Sequence, residues 1–185
     1  ASSVSVYFRE LNSGKWTGIN EKEKFAPGSL LKVAVMLAYL RMVEDNPSVL
    51  NEVVFYTQKN DPGQFFKPKH LLSTGNQTVK DLLVSMVTES DNQAVALLDN
   101  LHPDKILLIL AGLHIPIPER FDDDFITAKE YSIFFRALYN GNYVSHNLSE
   151  QALDLLSKTT FDQGIVSGLP KNTIVSHKFG EQTTY

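Results

Sequence analysis

The 185-residue chain has no cysteine. That excludes disulfides, thiolate metal sites and a cysteine nucleophile, and leaves the redox compartment open. It also lacks any long run of one charge sign: 17 basic and 21 acidic residues leave a formal charge of −4, so nothing argues for nucleic acid or an anionic membrane surface as a partner. Long hydrophobic runs are missing as well. The longest, Val33 to Leu40, is too short to span a bilayer. The five histidines, His70, His102, His114, His146 and His177, have no metal-ligand spacing, and no metal or cofactor is expected. No internal repeat or low-complexity segment is present, and the length suits a single domain over residues 1–185 with a sizeable core.

What is present is an ordered series of elements. Residues from Ser3 to Leu11 are β-rich, and Asn12-Ser13-Gly14 turns them into Lys15–Ile19, which predicts an opening hairpin. Phe25-Ala26-Pro27-Gly28 breaks the pattern before an apolar helix that starts at Ser29 and runs to about Glu44, where Asp45-Asn46-Pro47 stops it. Residues 51–77, with Pro62-Gly63, Pro68 and Gly75-Asn76, read as irregular apart from a short strand at Val53–Tyr56. Capping boxes at Thr78/Asp81 and Thr127/Glu130 predict helices to about Glu89 and Tyr139, the second closed by Asn140-Gly141. Further helices are expected over Gln93–Asn100, over Pro103–Ala111 with Gly112 as C-cap, and from Ser149 to about Ser157. Thr173 to Tyr185 begins strand-like. Strands at both ends around a helical middle predict an α/β (α+β) fold, with one antiparallel sheet assembled from the two termini. The sheet lobe would take residues 1–25 and 165–185, and the helical lobe 26–164.

Lys32 is out of place in this pattern, because its neighbours from Leu30 to Leu40 are almost wholly apolar. Residues three apart share a helix face, so Lys32 can reach the Ser29 hydroxyl, and burial lowers a lysine's pKa by penalising its charged form. A nucleophile would then stand beside a base. The alternative for this pair is a helix-capping serine and a solvated lysine, but a solvated lysine would have polar neighbours. Ser90-Asp91-Asn92 lies between two helices and also fits an N-cap cluster. Lys178-Phe179-Gly180 also fits an edge cation and a bulge glycine.

The order Ser-x-x-Lys, Ser-Asp-Asn, Lys-x-Gly, with a proline-glycine break before the first, resembles the penicillin-recognising serine acyltransferases, above all the class A β-lactamase-like branch. The likeness extends over Ser3–Asn12, Phe25–Val33, Thr78–Leu98, Thr127–Val144 and Gly168–Glu181. The resemblance implies a β-lactamase/transpeptidase-like fold and a serine hydrolase acylated on Ser29, with Lys32 as base or proton relay. It implies that Ser90, helped by Lys178, passes the proton to the leaving nitrogen. Asn92 would hold the substrate side-chain amide and the Lys32 ammonium. The backbone N–H groups of Ser29 and Glu181, the latter beside Gly180, would form the oxyanion hole. The implied partner is a small β-lactam or peptidoglycan-like amide outside the cytoplasm. The alternatives are a DD-peptidase or esterase-like enzyme with slow deacylation, and a non-catalytic cell-wall sensor on the same fold.

Three departures qualify that likeness. The family's long loop with a water-activating glutamate corresponds here to the short stretch Pro116–Phe125, where Glu119 is the only glutamate and Asp122, Asp123 and Asp124 read as a solvated acidic turn. Phe179 replaces the threonine of the third motif, and Ile165-Val166-Ser167 stands where an arginine is expected. Two further strands and a terminal helix would follow residue 185 in the family. The expectation is a gap in the sheet, filled by a longer natural chain or a strand-supplying partner. A start at Ala1 fits removal of a leader and equally a trimmed chain.

Overall fold

The computed structural model of the chain describes residues 4–59 and 63–181. The expected strand start at Ser3, the turn residue Pro62 and the last four residues of the expected terminal strand lie outside them. The hairpin forms as β1 (Val6–Arg9) and β2 (Trp16–Ile19), antiparallel with Val6 opposite Ile19 and Arg9 opposite Trp16. Its turn is held by the Glu10 carboxylate, which accepts from the Asn12 and Ser13 amides at 2.8 and 2.5 Å. A two-residue strand, β3 (Lys24–Phe25), follows.

The apolar stretch becomes α1 (Lys32–Asp45), entered through a tight 3-10 turn over Gly28–Leu31. Gly28 sits at φ +50°, where a side chain would be strained. From Lys32 to Leu40 every residue of α1 except Val35 is buried, as a helix apolar on all sides requires. It is the central helix. α2 (Val79–Thr88) and α4 (Lys105–Gly112) pack directly on it; β4 (Val53–Tyr56) and β5 (Gly75–Thr78) pair antiparallel, β5 against α2 and β4 against α3 (Asn92–Leu101), which itself packs on α2. The short β6 (Ile126–Thr127) pairs with β3, and α5 (Ala128–Asn140) and α6 (His146–Ser157) complete the helices. Both capping boxes form as expected, and Gly141 closes α5 at φ +58°.

Several local expectations are corrected. Gly112 is the last residue of α4 rather than its cap; the left-handed residue is His114, and a Cβ on Gly112 would lie 3.0 Å from the Tyr143 hydroxyl oxygen. Clearance, not capping, explains that glycine. α6 begins at His146, because Ser149 is buried and its hydroxyl turns back toward the Val144 carbonyl instead of capping. Strands β3 and β5 carry few β-branched residues and β6 is only two residues long, so their pairing depends on partners distant in the chain.

The β-lactamase-like α+β class holds, but the single sheet drawn from both termini does not form among the described residues. These contain three separate two-stranded antiparallel pairs instead. Residues 173–181 run without strand pairing. Their polar groups are anchored on α6 and the turn after it: the His177 amide donates to the Leu156 carbonyl, the Ser176 hydroxyl to the Leu153 carbonyl, and the Thr159 hydroxyl to the His177 carbonyl. A cleft of about 800 Å³ separates this segment from the hairpin, with Tyr7, Leu11, Tyr131, Phe135 and Val175 among its walls. It lies where the resemblance expects two further strands.

Candidate active site

Four segments converge at the N-terminal end of α1. Ser29 stands in the 3-10 turn and the half-exposed hydroxyl accepts from the Lys32 Nζ at 3.1 Å. The same Nζ lies 3.1 Å from the Ser90 Oγ, 2.5 Å from the Ser90 carbonyl and 2.7 Å from the Asn92 Oδ1. The Lys178 Nζ lies 2.8 Å from the Ser90 Oγ and 2.9 Å from the Phe179 carbonyl. A continuous chain of hydroxyls and amines therefore runs Ser29, Lys32, Ser90, Lys178.

The α2–α3 junction positions Ser90 by force of its neighbours. Ser90 adopts φ +57°, a conformation uncommon for a residue with a side chain. Asp91 holds it there: its carboxylate caps α3 by accepting from the Gln93 and Ala94 amides, and also accepts from the Tyr56 and Ser85 hydroxyls. On the other side, the buried Glu89 carboxylate accepts from the Lys69 amide and the Thr160 hydroxyl. The N-cap reading of this tripeptide is correct for Asp91, while Ser90 and Asn92 face Lys32.

Two amines around one hydroxyl set the electrostatics. Lys178 is 7% exposed, and burial first, then the nearby Lys32 charge, pulls its pKa down to about 6. Lys178 also lies 4.1 Å from the centre of the Phe179 ring. Phe179 itself stacks on Phe161 at 4.5 Å and meets Phe66 edge-on at 4.6 Å. An aromatic cluster thus occupies the place where the resemblance expects a hydroxyl.

Gly180 has a steric reason. A Cβ there would come 3.1 Å from Leu30 Cγ and 3.4 Å from the Leu30 backbone nitrogen, so its absence lets this segment lie against the start of α1. Ser29, Ser90, Asn92, Phe179 and Glu181 line one narrow crevice, whose remaining wall is Gly63–Phe66. Of the seven residues expected at the site, Ser29, Ser90, Asn92 and Glu181 line this crevice, Lys32 and Lys178 meet behind it at the Ser90 hydroxyl, and Gly180 lies against Leu30.

This arrangement coincides with a match over the whole chain. A sequence model described as the "Beta-lactamase enzyme family" matches residues 1–185. The chain belongs to the β-lactamase enzyme family. No curated protein matches the sequence of this β-lactamase-family chain. Among solved structures it is similar to a β-lactamase from Streptosporangium roseum (24% identity, TM-score 0.80, covering 98% of this chain and 73% of that one). It is also similar to a β-lactamase from Chitinophaga pinensis (19%, TM-score 0.80, 98% and 73%). A third is a mutant of PBP-A solved as an acyl-enzyme complex with penicillin G (18%, TM-score 0.76, 96% and 70%). At these identities the likeness is one of fold.

In this β-lactamase-family chain the connection after α4 runs to β6. A second cavity, about 340 Å³, opens beside Ser29, Lys32 and Asn92, and the residue that reaches it from Pro116–Phe125 is Phe121. Glu119, Asp122 and Asp123 are exposed and do not line it, and Asp124 instead accepts from the Ala26 amide at 2.7 Å. The carboxylate that does line it is Asp99 of α3, which the motifs do not mark. Its signal was the helical spacing Asn92, Val95/Ala96, Asp99 on one face. Gln64 is another residue without a motif: its Oε1 accepts from the Asn92 amide at 3.0 Å.

Proposed function

We propose that this protein is a serine hydrolase of the β-lactamase and penicillin-binding type, acylated on Ser29 by a β-lactam or related amide. The observation that carries this reading is the unbroken Ser29–Lys32–Ser90–Lys178 chain at 3.1, 3.1 and 2.8 Å. The Ser90 carbonyl and Asn92 Oδ1 can only accept, so each takes an N–H of Lys32. In its neutral form that amine turns its lone pair toward the hydroxyls and can take the Ser29 proton. The Ser29 Oγ–carbon bond then forms and the amide C–N bond breaks, while Ser90 hands a proton to the departing nitrogen and is resupplied by the neighbouring amines. Backbone N–H groups of Ser29 and Glu181 receive the oxyanion, each donor worth about 3 kcal/mol in the transition state. In this reading the protein meets its substrate outside the cytoplasm.

Release of the acyl group is slow in this reading, because Phe121 and not a carboxylate of Pro116–Phe125 reaches the Ser29 cavity. The test is incubation with a fluorescent penicillin, followed by intact mass over time. A Ser29-dependent adduct that persists for many minutes is the expected result, and Ser29→Ala removes it. Absence of any Ser29-dependent adduct with penicillins, esters or D-Ala-D-Ala peptides would overturn acylation; rapid adduct loss with product release would overturn slow deacylation alone.

A further inference from the structure

The cavity beside Ser29 has a built polarity. Its walls are apolar, from Val35 of α1, Val95 and Ala96 of α3, Ile106 of α4 and Phe121. Two charged residues line it, and they stand at opposite ends: Lys32, buried, next to the nucleophile, and Asp99, exposed. Asp99 lies seven positions after Asn92 in the helix, which places them about 10 Å apart along the α3 axis. Asp99 belongs to the last turn of α3, where the helix's own carbonyls add negative potential. It forms no ion pair with a described residue.

We propose that this cavity is an acyl-group subsite for a substituent with an apolar stem and a terminal ammonium. The stem lies between Val35, Val95, Ile106 and Phe121, and the ammonium sits at Asp99. The opposite polarity fits poorly, since an anionic end would face both the Asp99 carboxylate and the α3 C-terminus. A stem of five or six carbons is chosen against the roughly 10 Å of α3 axis between Asn92 and Asp99. The assignment rests on acylation of Ser29 for its role, but the subsite itself is testable without it.

Two measurements keep those apart. The first compares acylation by the 4-nitrophenyl esters of 6-aminohexanoic and heptanoic acids, which differ by an ammonium in place of a methyl. The amino ester is expected to acylate about fivefold faster in kcat/KM, in keeping with an exposed ion pair. Asp99→Asn brings that ratio to one, and Asp99→Lys inverts it. The second measures binding of hexylamine against 1-hexanol to the Ser29→Ala protein by ligand-observed NMR, before and after Asp99→Asn. Preference for the amine that Asp99→Asn abolishes supports the subsite even where neither ester acylates Ser29, an outcome that would defeat only the acylation reading. Equal binding of amine and alcohol, or a preference indifferent to Asp99, overturns the subsite whatever the esters do.

Discussion

The two sides of Ser29 are constructed on opposite principles. On the Ser90 side, a left-handed backbone residue is clamped by the four bonds that Asp91 accepts and by the ties to Glu89. On the Phe121 side there is a cavity of about 340 Å³ with apolar walls. The first side resembles a pre-paid transition-state mould, in which proton carriers need not reorganise. The second has room for a substrate group but no carboxylate from Pro116–Phe125. Under the proposed function, the contrast separates acylation from release.

The strongest way to break this contrast is Lys32→Ala. Removing the amine that links Ser29 to Ser90 is expected to slow acylation at neutral pH by about 10²- to 10⁴-fold, measured as the rate of adduct formation with a fluorescent penicillin. An unchanged rate would remove lysine from the mechanism. Asp91→Ala probes the clamp: it leaves two buried hydroxyls and two helix amides short of their acceptor and costs about 3 kcal/mol or more of stability, read as a lower midpoint in urea. If stability holds and only acylation falls, the clamp serves geometry more than folding.

Acidity sharpens the same side more gently. With its pKa near 6, Lys178 is neutral above that pH and charged below it. Acylation that draws the Ser90 proton from charged Lys178 should fall about tenfold per pH unit above pH 6, and Lys178→Met should flatten that limb. The linkage has a definite sign. Unfolded Lys178 binds its proton up to its ordinary value of 10.5, so between about pH 6 and 10.5 the unfolded state holds more protons and this residue's contribution to stability rises with pH. Below pH 6 that contribution is at its lowest. The smallest effect is expected across the cavity: Phe121→Ala, at an exposed position, should change stability by no more than about 0.5 kcal/mol. A large loss would make Phe121 part of the core and the cavity a product of its packing.

Much of the fold was legible where the chemistry is local. Thr78/Asp81 and Thr127/Glu130 cap their helices as their spacing implies, and Asn12-Ser13-Gly14 turns the hairpin. Ser149 misled, since a hydroxyl that suits a cap also suits a buried turn of helix when a carbonyl is in reach. Strand signals at residues 173–181 misled as well, because a strand is only completed by a neighbour, and the nearest polar partners belong to α6 and the turn after it. In the candidate site, the three motifs marked Ser29, Lys32, Ser90, Asn92, Lys178 and Gly180. They did not mark Asp99, Phe121 or Gln64, whose relevance arises from which segments happen to face each other.

The sequence by itself determined the residue types of the site and their local poses: a lysine one turn after a serine on an apolar helix, a tripeptide that must break between two helices, and a glycine beside a lysine. Those follow from backbone geometry over a few residues. Only the tertiary structure decided that two amines share the Ser90 hydroxyl, that an aromatic cluster takes the place of a third-motif hydroxyl, and that Asp99 shares a cavity with Ser29. Burial and proximity across 60 to 90 residues of chain belong to the packed core and not to any stretch of it, so desolvation and the repulsion between neighbouring charges exist only once the chain has folded.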